Sequence, residues 1–127
     1  MTHPNETHDA AETNALIAEQ NDRFRSTWGA DFTVPGQIVL TRGVADLSPA
    51  AKAIIMQRVQ KFSEFTEGND PYGDHSFGSF KFEIAGNNYH IFWKIDLYDQ
   101  EYSAGSSDPA NVSVTRRVLT ILHASEY

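Results

Sequence analysis

The sequence contains no cysteine and no long apolar run, and each absence excludes a class of protein. Without cysteine there is no disulfide framework, no thiolate nucleophile and no zinc site of the thiolate kind. A membrane helix needs about 18 consecutive apolar residues, and no such stretch occurs. Residues 1–9 also lack the basic and apolar segments of an export signal. We therefore expect a cytoplasmic protein without a membrane partner.

Basic residues are scarce as well. The chain has 10 Lys and Arg against 17 Asp and Glu, which gives a formal net charge of -7. A field of this sign repels the phosphates of nucleic acids, so we expect no direct nucleic-acid binding. The same charge could attract the basic surface of another protein, including a surface that normally holds nucleic acid. The alternative is that the acidic surface only keeps the protein soluble.

The 127 residues suffice for one domain with its own core. Residues 1–12 are polar and are predicted to form a disordered N-terminal arm, so that residues 13–127 make a single α+β domain. From Thr13 to Gly29, apolar residues and Gln20 recur at helical spacing and predict a first helix. Four charged side chains are expected on the solvent side of this helix: Glu19, Asp22, Arg23 and Arg25.

A second helix and several strands follow. Ser48 stands as an N-cap before Pro49 and predicts a helix that runs to about Thr66. β-branched residues predict a strand over residues 37–41, which Arg42 and Gly43 end. Residues 78–98 alternate apolar and polar positions around a Gly86 turn, which predicts a β-hairpin.

The last apolar run, residues 115–123, suits a strand or a helix by periodicity, and its β-branched content favours a strand. The predicted order is then helix-strand-helix-strand-strand-strand. This order indicates an α+β fold with an antiparallel sheet of three to four strands and two helices.

The segment between the second helix and the hairpin concentrates unusual residues. Turn chemistry explains Gly68, Pro71 and Gly73, but it leaves Tyr72, Asp74 and His75 unexplained. We therefore expect a binding surface around this loop. Its predicted binding residues are Tyr72, Asp74, His75, Asp96, Arg42 and Arg117.

Two chemical interpretations of these residues stay open. Asp70, Asp74 and His75, joined by Asp96 or Asp99, could hold a divalent metal that activates water. No recognised ligand spacing supports that site, and the same loop residues also suit turn geometry without any cofactor. Three arginines could form an anion site or could instead pair with acidic neighbours. They are Arg42, Arg116 and Arg117.

Several short motifs in a fixed order carry a resemblance to a known family. They are Asn21 to Arg25, Thr41 to Val44, Asn69 to His75, Trp93 to Asp96, Thr115 to Ile121 and the pair Glu126-Tyr127. From about Asn21 onward the chain resembles the bacterial family catalogued as domain of unknown function 3768. The family pattern differs at four positions, with Glu for Asp74, Asp for Ser76, Tyr for Leu97 and an apolar residue for His123. The resemblance implies a small soluble bacterial protein, often encoded on plasmids and other mobile elements, without an established activity.

The first functional hypothesis is therefore a non-enzymatic protein-interaction or inhibitor module of mobile elements. It would bind an unknown protein partner through the loop Asn69 to Phe77 and the hairpin, with acidic groups in place of nucleic-acid phosphates. The alternative is a metal-dependent hydrolase with an Asp/His site in the same loop. A third hypothesis is a small-ligand or nucleotide-binding module that uses Tyr72, Trp93 and the arginines.

Overall fold

The computed structural model describes residues 3–127, with side chains from residue 10 onward. Its elements are helix α1 (His3–Ser26), strand β1 (Gly36–Leu40), helix α2 (Arg42–Ala45), helix α3 (Pro49–Lys61), and strands β2 (Phe77–Ile84), β3 (Asn87–Tyr98) and β4 (Arg116–His123). A 3-10 turn (Ala124–Glu126) follows β4. The predicted α+β class is confirmed. Within residues 3–127, no helix combines the length and apolarity that crossing a membrane requires.

Most of the predicted elements are present, with changed boundaries. Helix α1 begins at His3 and not at Thr13; the first two residues of the predicted arm lie outside the described part of the chain, and the division at residue 12 stays a prediction. The segment 115–123 forms a strand, as its β-branched residues predicted. The short helix α2 was not predicted; it begins at Arg42, where the strand was expected to end, and its N-cap is Thr41.

Helix α3 shows why it starts and stops where it does. The Ser48 hydroxyl accepts a hydrogen bond from the backbone N-H of Ala51, as an N-cap should. The helix ends at Lys61, earlier than predicted, because Phe62 adopts an extended backbone with ψ 131°. This turn directs Phe62 edge-on to the buried Trp93, with ring centroids 5.5 Å apart.

The sheet has the strand order β1-β4-β3-β2 and is mixed. Strands β2, β3 and β4 pair antiparallel, but β1 runs parallel to β4, so the prediction of a wholly antiparallel sheet is wrong at this edge. Helices α2 and α3 and the hairpin separate β1 from β4 in sequence, and a long connection of this kind permits parallel pairing. Gly36 allows the close approach, because a Cβ there would lie 2.3 Å from the carbonyl oxygen of Arg117.

The two faces of the sheet have different surroundings. One face points to the helices, and its residues Ile91, Trp93 and Ile95 form a single core with Phe24, Val44, Ile55 and others from the three helices. We call this the covered face. The opposite face carries the alternate residues of β1 (37 and 39), β2 (77 to 83), β3 (90 to 98) and β4 (116 to 122). We call it the open face, because α1, α2 and α3 all contribute to the core on the other side.

Candidate functional site

The loop between α3 and β2 is fixed to helix α1 by His75. Its Nδ1 lies 2.9 Å from both carboxylate oxygens of Asp22, and its Nε2 lies 3.6 Å from Oδ2 of Asp70. The imidazole also stacks on the ring of Phe65, with centroids 3.8 Å apart. His75 has a φ of 53°, in the left-handed region that a non-glycine residue seldom adopts. The carboxylates and the stacked ring hold it there, so His75 acts as the anchor of the loop.

Asp22 also binds the guanidinium of Arg25, which is 2% exposed. Nη2 of Arg25 donates to Asp22 Oδ1 at 2.8 Å, while Nη1 donates to the carbonyl oxygens of Val59 and Phe62 at 2.7 and 2.9 Å. A cation at the C-terminal end of α3 complements the helix dipole. Burial lowers the pKa of Arg25, and the hydrogen bond and charge of Asp22 oppose that shift. Asp22 thus joins α1, the end of α3 and the loop.

A second buried arginine, Arg117, lies under α1 and is held by amides. Its Nε donates to Asn21 Oδ1 at 2.7 Å, and its Nη2 donates to Gln20 Oε1 at 2.8 Å. Each amide donates onward to a loop: Asn21 Nδ2 to the carbonyl of Asp74 at 2.9 Å, and Gln20 Nε2 to the carbonyl of Ala110 at 2.8 Å. The two amides of α1 therefore link both loops to one buried guanidinium.

The environment of Arg117 is less favourable to charge than that of Arg25. No carboxylate of the described chain pairs with it, and its Nη1 is buried without a hydrogen-bond partner. Burial lowers the pKa of Arg117 to about 10. Desolvation of an unpaired guanidinium costs free energy, so this network contributes to the geometry of the loops more than to the stability of the fold.

The connection between β3 and β4 is ordered by its own hydrogen bonds. Asp99 Oδ1 accepts from the backbone N-H groups of Glu101 and Ser103 at 3.2 and 3.0 Å. The Ser103 N-H is the main cause that lowers the pKa of Asp99. The Thr115 hydroxyl donates to the carbonyl of Asp108 at 3.0 Å and closes the other end of the connection.

The two loops share one electrostatic property. Residues 62–76 and 99–115 contain seven acidic side chains and no Lys or Arg, a number that equals the formal net charge of the chain, -7. We call them the acidic loops. Within the first, Tyr72 is 75% exposed and lies between Asp70 and Asp74 in the sequence. The acidic side chains are Glu64, Glu67, Asp70, Asp74, Asp99, Glu101 and Asp108.

The structure brings together only some of the predicted site residues. Asp70 and His75 are in contact, and the carbonyl of Asp74 joins them to α1. The Asp74 carboxylate accepts a hydrogen bond from the Ser76 hydroxyl at 2.9 Å. Asp96 is on the open face, where its carboxylate lies 3.3 Å from Lys94 Nζ. It is therefore separated from the loop residues by the sheet.

The predicted arginines also lie apart. Arg117 is buried at the beginning of β4, next to Gly36, whereas Arg42 is exposed beyond the other end of β1. The length of β1 alone separates them by about 15 Å. Arg116 donates to the carbonyls of Val112 and Thr115. The three arginines do not form one anion site.

The metal interpretation finds no ligand set in this geometry. Among the side chains from residue 10 onward, no group of three or more His, Cys, Asp and Glu could hold a metal ion. Both ring nitrogens of His75 face carboxylates that already orient the loop. The divalent metal stays an untested prediction, and the contacts of Asp70 and His75 are those of an anchor.

Four residues of the site were not predicted: Gln20 was placed on an apolar stripe, Asp22 and Arg25 were expected in solvent, and Asn21 was given no role. A signal was present in the helix period, because Asn21 and Arg25 follow the buried Ile17 by four and eight residues and so share its face. The expectation was correct for Arg23, which pairs with Glu19 at 3.2 Å on the exposed side.

Comparison with known families decides the assignment of the chain. A family model described as protein of unknown function (DUF3768) matches residues 40–126. The chain belongs to the DUF3768 family. This confirms the family that the sequence motifs indicated, although the motif Asn21 to Arg25 precedes the matched residues. The DUF3768 match includes both acidic loops. No curated protein and no solved structure matches the chain significantly.

Proposed function

We propose that this DUF3768 protein is a non-enzymatic interaction module that binds a basic protein surface through its two acidic loops. The observation that carries the proposal is the absence of Lys and Arg from two loops with seven acidic residues, both attached to α1. Charge of one sign on one part of a surface steers an oppositely charged partner and raises its association rate.

The attachment of the loops supports this proposal. The side chains of His75, Asn21 and Gln20 fix them through hydrogen bonds to Asp22, Asp74 and Ala110. A loop that is ordered before binding does not lose that conformational freedom when the partner arrives. The acidic loops are therefore suited to binding with little rearrangement.

Tyr72 supplies an apolar contact within the acidic surface. Its side chain is 75% exposed, and large aromatic residues are frequent among those that dominate binding energy at interfaces. We propose that Tyr72 enters the partner's surface while the surrounding carboxylates pair with its basic groups.

The kind of partner follows from the charge. Carboxylates that stand where phosphates would lie suit a protein that otherwise holds nucleic acid, and the DUF3768 resemblance to proteins of mobile elements suits an inhibitor of such a host protein. The absence of cysteine supports a cytoplasmic location. The protein itself would not bind nucleic acid.

The test is a pull-down from a lysate of the source organism with wild type and two charge variants. The double variant Glu67→Lys/Glu101→Lys changes both acidic loops, and the control Glu19→Lys/Asp46→Lys changes exposed acids outside the loops and the open face by the same net charge. We expect a basic protein that is retained by wild type and by the control, released by moderate salt, and lost by the loop variant.

Equal retention by both double variants would contradict the proposal, since total charge and not the loops would then explain binding. Tyr72→Ala serves as a second probe. We expect it to weaken the affinity at least tenfold, because truncation of a dominant interface aromatic costs about 2 kcal/mol or more.

A further inference from the structure

The open face carries a strip of apolar side chains on the side of the sheet away from the three helices, and Tyr127 packs over part of it. The ring of Phe92 contacts those of Phe77 and Tyr127, with centroid distances of 5.1 and 5.3 Å. Across the strands, the half-buried Phe92 pairs with Leu122, which is only 6% exposed. At the edge strand β1, Val39 is 41% exposed. Apolar side chains that stay partly exposed beside aromatic rings suit an interaction site in a soluble protein.

The charge of the open face points to the kind of partner. It carries three cations and two carboxylates, so it is nearly neutral in a chain of formal net charge -7. A basic protein or a nucleic acid gains little from such a face. Two copies of this acidic chain repel each other least when they meet there. The charged residues are Lys81, Lys94, Arg116, Glu83 and Asp96.

The presence of both signs makes the face complementary to itself. Lys94 and Asp96 lie 3.3 Å apart, and their side chains are 41% and 43% exposed. In a two-fold symmetric interface, if the first residue of one copy meets the second residue of the other, then the second also meets the first. A face with adjacent opposite charges can therefore pair with its own copy. The acidic loops attach to α1, on the covered side. An interface on the open face therefore leaves them accessible to a partner.

The size of the face is close to what a specific interface needs. Four strands about 4.8 Å apart and about seven residues long, at 3.3 Å per residue, cover roughly 450 Å². Two such faces approach the roughly 1,000 Å² of total buried area that a specific interface needs, and side-chain relief adds to the accessible area. Sheets that pack face to face lie about 10 Å apart, which leaves room for side chains such as Phe92 and Val39.

We infer that the open face is the interface of a symmetric dimer in which two copies of this chain pack sheet against sheet. The dimer goes beyond the proposed function. It would present two pairs of acidic loops, so that a partner with two basic sites gains affinity from simultaneous contact.

The test is sedimentation equilibrium of the full chain over a concentration series, in moderate salt. We expect wild type to show twice the 14.2 kDa chain mass at high micromolar concentration. Phe92→Glu places a charge at the centre of the strip and should raise the dimer dissociation constant at least a hundredfold. Circular dichroism and a thermal melt establish that this variant is folded.

A matched pair keeps the inference testable if Phe92→Glu does not fold. Val39 on the open face and Met56 on α3 are 41% and 40% exposed, so both tolerate a polar residue. We expect Val39→Glu to weaken the dimer about tenfold or more and Met56→Glu to leave it unchanged. A wild type that stays monomeric, or a dimer weakened equally by both variants, would overturn the inference.

A single-stranded oligonucleotide tests the alternative that the aromatic residues of the open face bind nucleic acid. Bases stack on such rings in proteins that bind single strands. A labelled oligonucleotide that binds wild type and is released by Phe92→Glu would assign the face to nucleic acid and overturn the dimer. The expected result is no change in fluorescence anisotropy.

Discussion

The two faces of the sheet are formed by alternate residues of the same strands, yet the core with the helices lies on only one of them, the covered face. On the covered face, Trp93 is fully buried between Phe62, Phe65 and the guanidinium of Arg25, which lies 4.8 Å from its ring. On the open face, Phe92 contacts the rings of Phe77, His90 and Tyr127. The covered face therefore sets the stability of the fold, and the open face is free to associate. Matched substitutions on the two faces test this division.

The largest difference is expected between two ion pairs, one on each side of the sheet. Arg25→Met removes a buried cation and leaves the carbonyls of Val59 and Phe62 without their donor, so we expect a loss of about 3–5 kcal/mol in the free energy of unfolding. Lys94→Met breaks a half-exposed pair with Asp96 and should cost less than about 1 kcal/mol. Urea denaturation of dilute protein measures both. Similar costs would show that the faces do not differ in this way.

A smaller difference is expected between Gly78 and Ser79, adjacent residues of β2 that face opposite sides. A Cβ at Gly78 would lie 2.4 Å from Nε1 of the buried Trp93 indole, so Gly78→Ala must displace a packed ring. We expect a cost of about 1–3 kcal/mol.

Ser79→Ala is the matched control, because Ser79 is exposed on the open face. We expect it to change the free energy of unfolding by less than about 0.5 kcal/mol. Thermal melts of the two variants suffice for the comparison. If Gly78→Ala melts like Ser79→Ala, the covered face is less tightly packed around Trp93 than the contacts indicate.

The smallest effect concerns the turn that places Tyr127 on the open face. Glu126 accepts hydrogen bonds from the His123 N-H at 2.7 Å and from the Thr41 hydroxyl at 2.8 Å, and these bonds lower its pKa. Stability from this group is present above the ordinary glutamate pKa and is lost as pH falls through the lowered value.

Glu126→Gln should therefore reduce the decline of stability between neutral and acid pH. Unfolding at a series of pH values, for wild type and variant, measures this difference. An equally steep decline in both would mean that other carboxylates, such as Asp99 with its lowered pKa, account for it.

Local patterns predicted much of the fold because they depend on residues close in sequence. The alternation along β2 and β3, the capping by Ser48 and the β-branched content of β4 all indicated elements that are present. The parallel pairing of β1 with β4 was not predicted, since hydrophobic alternation does not indicate which strand lies beside which. It depends on contacts between segments about 80 residues apart, such as Gly36 with Arg117.

The candidate site shows the same limit. The loop around His75 and the exposed Tyr72 were indicated by residues that turn geometry left unexplained. Asp96 was assigned to the same site but lies across the sheet, beside Lys94. Whether two residues belong to one site depends on which face of the sheet each occupies and on what packs there. The segments that pack there are distant in sequence, so local patterns do not show it.

The sequence by itself determined the net charge, the lack of Lys and Arg in the two acidic loops, the DUF3768 motifs and most of the secondary structure, because these depend on composition and short-range spacing. Only the tertiary structure decided that Arg25 and Arg117 are buried, that His75 binds Asp22, and that one face of the sheet stays open. Burial and pairing arise where segments distant in sequence pack together, and the cost of desolvating each arginine depends on the groups that those segments bring to it.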